Sequence, residues 1–241
     1  MKKNPYRYYR FLTLAGIFML PATIFFWGVL GQNVPPYSAS LSADAFAAEI
    51  IANASSIRIG MIGQLVVSFA YFLWGLGICK VMEATEEDNN VLSTIALWGT
   101  GLTWIVFALP CSVWLTVAYR PEVMDPRTLQ MFFDFGWFFF DNSFTITTMG
   151  MVAMGIGFLK DPREVPLMPA WVCWLAICVG IGFVLEVFMP LVTDGAFSRS
   201  GLINYWIEFS AYFVYWMATA IHLDKAVVRL QREHAQGKGL A

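Results

Sequence analysis

Six stretches of about 20 predominantly apolar residues, each long enough to cross a ~30 Å hydrocarbon core, decide what this chain can become. They cover roughly residues 11–31, 59–81, 92–118, 138–159, 170–193 and 202–223. Backbone polar groups in lipid must be satisfied within the segment, so such stretches fold as helices. The composition agrees: 58% of the 241 residues are hydrophobic and 13% charged, against about a quarter charged in soluble domains. The reading is an all-α polytopic membrane protein, a six-transmembrane-helix bundle of three helical hairpins. A single transmembrane domain spans 1–226 and a basic cytoplasmic tail 227–241. The first span is too long for a removable signal peptide and lacks its cleavage site, so it reads as a retained anchor.

Charge asymmetry orients the bundle. With the N-terminus inside, the inner segments carry Lys2, Lys3, Arg7, Arg10, Lys80, Lys160, Arg163, Lys225, Arg229, Arg232 and Lys238. The outer ones carry only Arg58, Arg120, Arg127 and Arg199. Lys and Arg concentrate on the cytoplasmic side, which predicts both termini inside and a bacterial inner membrane. A net charge of −2 gives no basic surface for nucleic acid. The partners this composition implies are the lipid bilayer and a small hydrophobic or cationic ligand. A second copy of the chain and partner membrane subunits are also compatible with it.

A weak repeat runs through the hairpins. Each odd-numbered span carries a late proline (Pro21, Pro110, Pro190), and each even-numbered span ends near a lysine (Lys80, Lys160, Lys225). Spans two and four share GLGICK (75–80) and GIGFLK (155–160). Glycine pairs at 75/77, 99/101, 155/157 and 180/182 predict a tightly packed inner half, because small residues let helix backbones approach closely in lipid. Two outer elements are expected above it. Residues 42–57 suit a short interfacial helix N-capped by Ser42, and the aromatic run 128–140 suits an interfacial belt with Asp134 at headgroup level.

Chemistry gathers in the outer half. Asp141, Glu186 and Glu208 lie at similar depth in three different spans, and a charge in hydrocarbon costs several kcal/mol unless it faces a cavity or a partner. Gln64 and Asn142 fall in the same layer, and Pro190 removes the amide that would bond the Glu186 carbonyl. Trp104, Trp114, Tyr205, Trp206, Tyr212 and Tyr215 offer aromatic walls that stabilise cations. The layer therefore predicts an outward-facing acidic and aromatic pocket. Glu186, Glu208 and Asp141 are the candidate catalytic residues, with Gln64, Asn142, Trp104, Tyr205 and Tyr212 as candidate ligand-binding residues. The competing reading of the acids is interhelical hydrogen bonding, and of the aromatics, ordinary core. Cys79, Cys111, Cys173 and Cys178 read as small packing residues. Two histidines exclude a three-His metal site, and no residue pattern specifies a cofactor.

The stretch TDGAFSRSGLINYW (193–206) resembles a TG-P-F-x-x-N-G-L-L-x-F-W segment before the final helix of small uncharacterised bacterial multi-pass membrane proteins. The resemblance covers under a third of the chain and implies no activity; this sequence departs from it by inserting Asp194 and by placing Glu208 after the motif. Neighbouring acids with different environments suit acid–base isomerisation or cyclisation of a small hydrophobic substrate. Two other classes fit the same residues: a transporter or binding protein for a cationic or amphipathic molecule, and a non-catalytic subunit of a larger membrane complex.

Overall fold

A computed structural model describes residues 4–86 and 89–237; Lys2, Lys3 and Lys238 of the charge argument lie outside them. The described chain is helical throughout, without strands. Seven α-helices carry it: α1 (Tyr9–Thr23), α2 (Ala43–Met82), α3 (Val91–Tyr119), α4 (Pro126–Asp141), α5 (Phe144–Leu159), α6 (Ala170–Gly182) and α7 (Glu208–Ala235). Five helical segments are long and apolar enough to span a bilayer: Tyr9–Leu30, Ala43–Met82, Val91–Tyr119, Pro126–Leu159 and Ala170–Leu191. The chain therefore has the build of an integral, multi-pass membrane protein. The α7 segment, which carries Glu208 in its first turn and Arg232 and His234 in its last, falls outside that set and packs as the sixth column.

The columns close on themselves. In contact order the ring runs α1, α2, α3, α5, α6, α7 and back to α1, with α4 leaning on α2 and α3. Lipid tails are as apolar as leucine, so helices in a bilayer are drawn together by close packing rather than by water exclusion. Small residues supply that approach here. A Cβ on Gly99 would stand 2.3 Å from the Gly150 backbone nitrogen, one on Gly75 2.3 Å from Thr100 Oγ1, and one on Gly155 2.7 Å from the Cys173 carbonyl oxygen. The tight glycine contacts read from the sequence are present at Gly75, Gly99 and Gly155 and are consumed within the chain, whereas Gly182 of the fourth pair meets no atom within 4 Å. Inside the ring, Trp74 stacks on Trp216 at 5.7 Å and 14°, and Tyr71 meets Tyr212 through their hydroxyls at 2.7 Å. Each such aromatic pair adds ~0.5–1.5 kcal/mol beyond its buried area.

Two expectations for the far end are corrected. Residues 42–57 are not a separate interfacial helix: they are the first turns of α2, which runs unbroken for 40 residues. Ser42 does cap it, accepting from the Ala45 amide. Nothing in 42–57 breaks a helix, and Phe46, Ile50 and Ile57 are buried in a second core cluster that leaves no reason to bend. That cluster also contains Trp27, Trp114, Phe133, Trp137 and Tyr205, so part of the aromatic run 128–140 is core rather than interfacial belt.

The three prolines have three local outcomes. After Pro21, α1 passes into a π-helical stretch, Ile24–Leu30. Pro110 is absorbed within a continuous α3. Pro190 sits in a 3-10 stretch, Phe183–Leu191, that continues α6 and carries Glu186. A second π-helical stretch, Leu202–Ile207, leads directly into Glu208 at the start of α7. Glu186 thus lies on irregular helix and Glu208 directly follows it, and displaced backbone bonds in such stretches re-aim side chains.

Loops at both ends are tied across the ring. At the end holding the N-terminus, Arg10 pairs with Asp224 at 3.3 Å, Arg163 donates to the Ala84 carbonyl, and Gln231 to that of Tyr6. At the far end Arg199, 2% exposed, pairs with Asp134 and donates to the Tyr37 carbonyl, its guanidinium lying 5.1 Å from the Phe133 ring centre. Burial raises the Tyr37 hydroxyl to about 12, against a smaller opposing effect of its bond from Asn53. Asp134 is therefore an ion-pair residue.

Candidate functional site

Asp141 is the last residue of α4, where the chain kinks through Asn142 and Ser143 before α5. Glu186 projects from the 3-10 extension of α6, and Glu208 opens α7. The three are 1%, 7% and 8% exposed, respectively, and are electrostatic neighbours of one another. The carboxylates that the sequence spread over 68 residues therefore form one cluster.

The cluster is short of partners. Asp141 Oδ2 accepts from Asn204 Nδ2 at 3.2 Å, while Asp141 Oδ1 and both carboxylate oxygens of Glu208 have none. Among the described residues no salt bridge reaches any of the three. The basic group whose charge Asp141 feels is Arg199, already held by Asp134 and Tyr37. A buried polar atom without a partner costs roughly 1–3 kcal/mol, and more when charged. Folds keep such groups where water, an ion or a ligand completes them.

Two spaces adjoin the cluster. The first is a cavity of ≈ 40 Å³ inside the ring, with Glu186 in its wall among Phe140, Phe183, Phe209 and Tyr212. At ~10–15 Å³ of accessible space per water it takes a few water molecules; drug-sized ligands fill pockets of ~300–1,000 Å³. Thr23 Oγ1 and Trp27 Nε1 in the same wall are buried without hydrogen-bond partners, which suits water at those atoms. The second is a groove of ≈ 220 Å³ on the outer surface of the ring, between α6 with its extension and the start of α7. Cys178, Gly182, Leu185, Ile203 and Ile207 line it, with Glu208 at its base. Glu186 faces inward and Glu208 the groove, so the acids bridge the wall between the two.

The remaining candidates divide. Tyr212 lines the cavity. Tyr205 lies one ring behind it, against Phe209 at 4.8 Å, with its hydroxyl on the Asn33 carbonyl. Gln64 is fully buried with both amide atoms unpartnered, but it lines neither space. Asn142 is exposed. Trp104 turns to α2, donating to Ser68 Oγ at 3.1 Å and packing against Phe69. Trp114 donates to the Phe133 carbonyl within the second core, Trp206 is exposed, and Tyr215 lies under Trp74. Of the cysteines, three are buried as packing residues and Cys178 is exposed.

Asn204, the one hydrogen-bond donor to the cluster among the described residues, was not singled out by the sequence. Its signal was its place four residues before Glu208, on the same side of a helical turn. Thr23, Thr103 and Thr147, which also line the cavity, had no signal, since threonines are common in apolar helices.

Comparison with protein-family models, with curated proteins and with solved structures finds no match for this chain.

Proposed function

We propose that this chain is a membrane enzyme whose Asp141–Glu186–Glu208 cluster carries out acid–base isomerisation or cyclisation of a small hydrophobic substrate taken from the bilayer. One observation carries the reading: three buried carboxylates from three segments meet without a basic partner, beside a lipid-facing groove. Like charges crowded in a low-dielectric site do not all ionise together, so a proton donor stands beside a proton acceptor.

The chemistry balances without a further reactant. A protonated carboxyl adds its proton to one carbon of a C=C bond; the π pair forms the new C–H bond and leaves a carbocation at the other carbon. In isomerisation, the carboxylate left behind takes a proton from the adjacent carbon, and that C–H pair becomes the shifted double bond. In cyclisation, a second internal double bond supplies the pair that closes the ring before the proton is lost. Glu208, facing the groove, is the donor in this scheme and, once deprotonated, also the acceptor, which returns it to its starting state. Glu186 and Asp141, the latter oriented by Asn204, crowd it from the inner side of the wall.

Isomerisation and cyclisation conserve mass, which sets the test. Lipophilic extracts of cells producing the wild-type chain are compared with those of cells producing Glu186→Gln or Glu208→Gln at equal membrane abundance. The expected result is a pair of equal-mass species whose ratio shifts with the wild type and not with either variant. Identical profiles in all three strains overturn the proposal.

The reading as a complex subunit loses part of one support, because most of the glycines that would dock partner helices are spent on contacts within the chain, Gly182 excepted. The cavity, sized for water and carrying unpartnered Thr23 and Trp27, favours proton movement as the second reading. A proton-coupled carrier would use the same acids, and it would transfer a labelled amphipathic cation across a vesicle membrane in response to a pH gradient.

A further inference from the structure

The groove beside Glu208 is built unlike the rest of the lipid-facing surface. Its rim is apolar and exposed, with Leu185 at 36% and Ile207 at 56%, as a lipid-facing surface requires. Its base is a carboxylate, nine-tenths buried, with neither oxygen hydrogen-bonded. Gly182 widens it: a Cβ there would meet no atom within 4 Å, whereas most ring glycines are pressed against a neighbour. An apolar trough ending in one acid complements an apolar chain ending in an amine, which takes the proton of Glu208 and leaves an ammonium–carboxylate pair. A charge brought to Glu208 in this low-dielectric setting is attracted far more strongly than in water, and a neutral chain gains only dispersion against lipid that already surrounds it.

We propose that this groove is a lateral docking site for a single-chain lipophilic cation, its alkyl or isoprenoid tail along Gly182, Leu185 and Ile207 and its charged head on Glu208. The inference rests on the acid–base reading and deepens it: an amine with such a tail imitates the cation formed when an alkene of the same shape is protonated at Glu208. It names the substrate class as a linear isoprenoid-like or alkenyl chain that enters from the membrane plane.

Cys178, on the groove wall and the exposed cysteine of the four, reports occupancy directly. The chain is reconstituted in phosphatidylcholine nanodiscs and alkylated with N-ethylmaleimide, the modified residue being located by mass spectrometry. Dodecylamine is expected to slow modification of Cys178 about tenfold, which corresponds to ~1.4 kcal/mol of occupancy, and dodecanol by less than about twofold. Glu208→Gln is expected to remove the amine's advantage. Gly182→Leu, which fills the trough while leaving the acids in place, is expected to remove protection by either probe.

Equal protection by dodecylamine and dodecanol, or an amine advantage that survives Glu208→Gln, overturns the docking site. The two proposals separate cleanly. Glu208-dependent protection without any equal-mass conversion in cells sustains the groove and removes the enzyme reading. Conversion that persists in Gly182→Leu sustains the enzyme reading and removes the groove as its entrance.

Discussion

The side-chain amide of Asn204 donates to Asp141 at 3.2 Å across 63 residues of sequence, joining the end of α4 to the π-helical turn that delivers Glu208. This bond makes one site of two separate helix ends. It leaves Asp141 Oδ1 and Asn204 Oδ1 both unpartnered. Two acceptors facing a common polar layer are satisfied only by a donor the side chains do not supply, such as water or a protonated neighbour.

Replacing Glu208 by Gln removes a carboxylate with no hydrogen bonds from a cluster of like charges and keeps its shape. The expected outcome is an unfolding midpoint equal to or above that of the wild type, alongside loss of conversion. A stability measurement in detergent or nanodiscs reads this. A drop of several degrees would mean that Glu208 is held by an ionic partner and that the cluster is structural polarity.

The ion pair of Arg199 with Asp134 is asymmetric, since Arg199 is 2% exposed at its side chain and Asp134 33%. Removing one member of a buried pair costs ~3–5 kcal/mol when the charge left behind is buried. Asp134→Asn strands the buried guanidinium, so its cost is expected to lie in that range. Arg199→Gln strands an acid that water reaches, and is expected to cost less. A double variant more stable than Asp134→Asn alone would complete the cycle; equal costs for the two single changes would count against the buried geometry.

Gly99 and Gly150 set the spacing of α3 and α5. Gly99→Ala introduces a methyl group 2.3 Å from a backbone nitrogen, where only separation of the helices relieves the clash. Overpacking of this kind costs ~1–3 kcal/mol. Gly182→Ala, with nothing within 4 Å, is expected to be neutral or slightly stabilising. Thermal unfolding of the two variants side by side reads the difference.

The unbroken α2 is testable by a proline scan. In a helix interior proline removes one backbone bond and clashes with the preceding turn, at a cost of ~3 kcal/mol or more. Ile59→Pro falls in the interior of α2 and is expected to incur it. If 42–57 were a separate helix and a span began near Ile59, the same change would fall in a first turn, where the amide is free, and would cost far less.

The membrane class, the helical content and the identity of the three acids were written in the sequence, because lipid leaves few options. Twenty apolar residues in a row have to form a helix, and an acid among them has to find company. The cap at Ser42 and the glycine seams were legible for the same reason: each depends on local backbone geometry or on side-chain size. Which acid meets which was not local. Asn204 reaches Asp141, and Glu186 turns inward while Glu208 turns toward the groove, because π and 3-10 turns rotate those side chains away from their α-helical directions. Ideal-helix counting carries no record of such turns. The run 128–140 was read as a belt, although Phe133 and Trp137 are core, for a related reason. Its aromatic residues are as compatible with a belt at the lipid interface as with a packed core, and only the closure of six columns into a ring chooses between them. Tertiary packing alone decided what space remains beside the acids: a few waters' worth at Glu186 and an outer trough at Glu208.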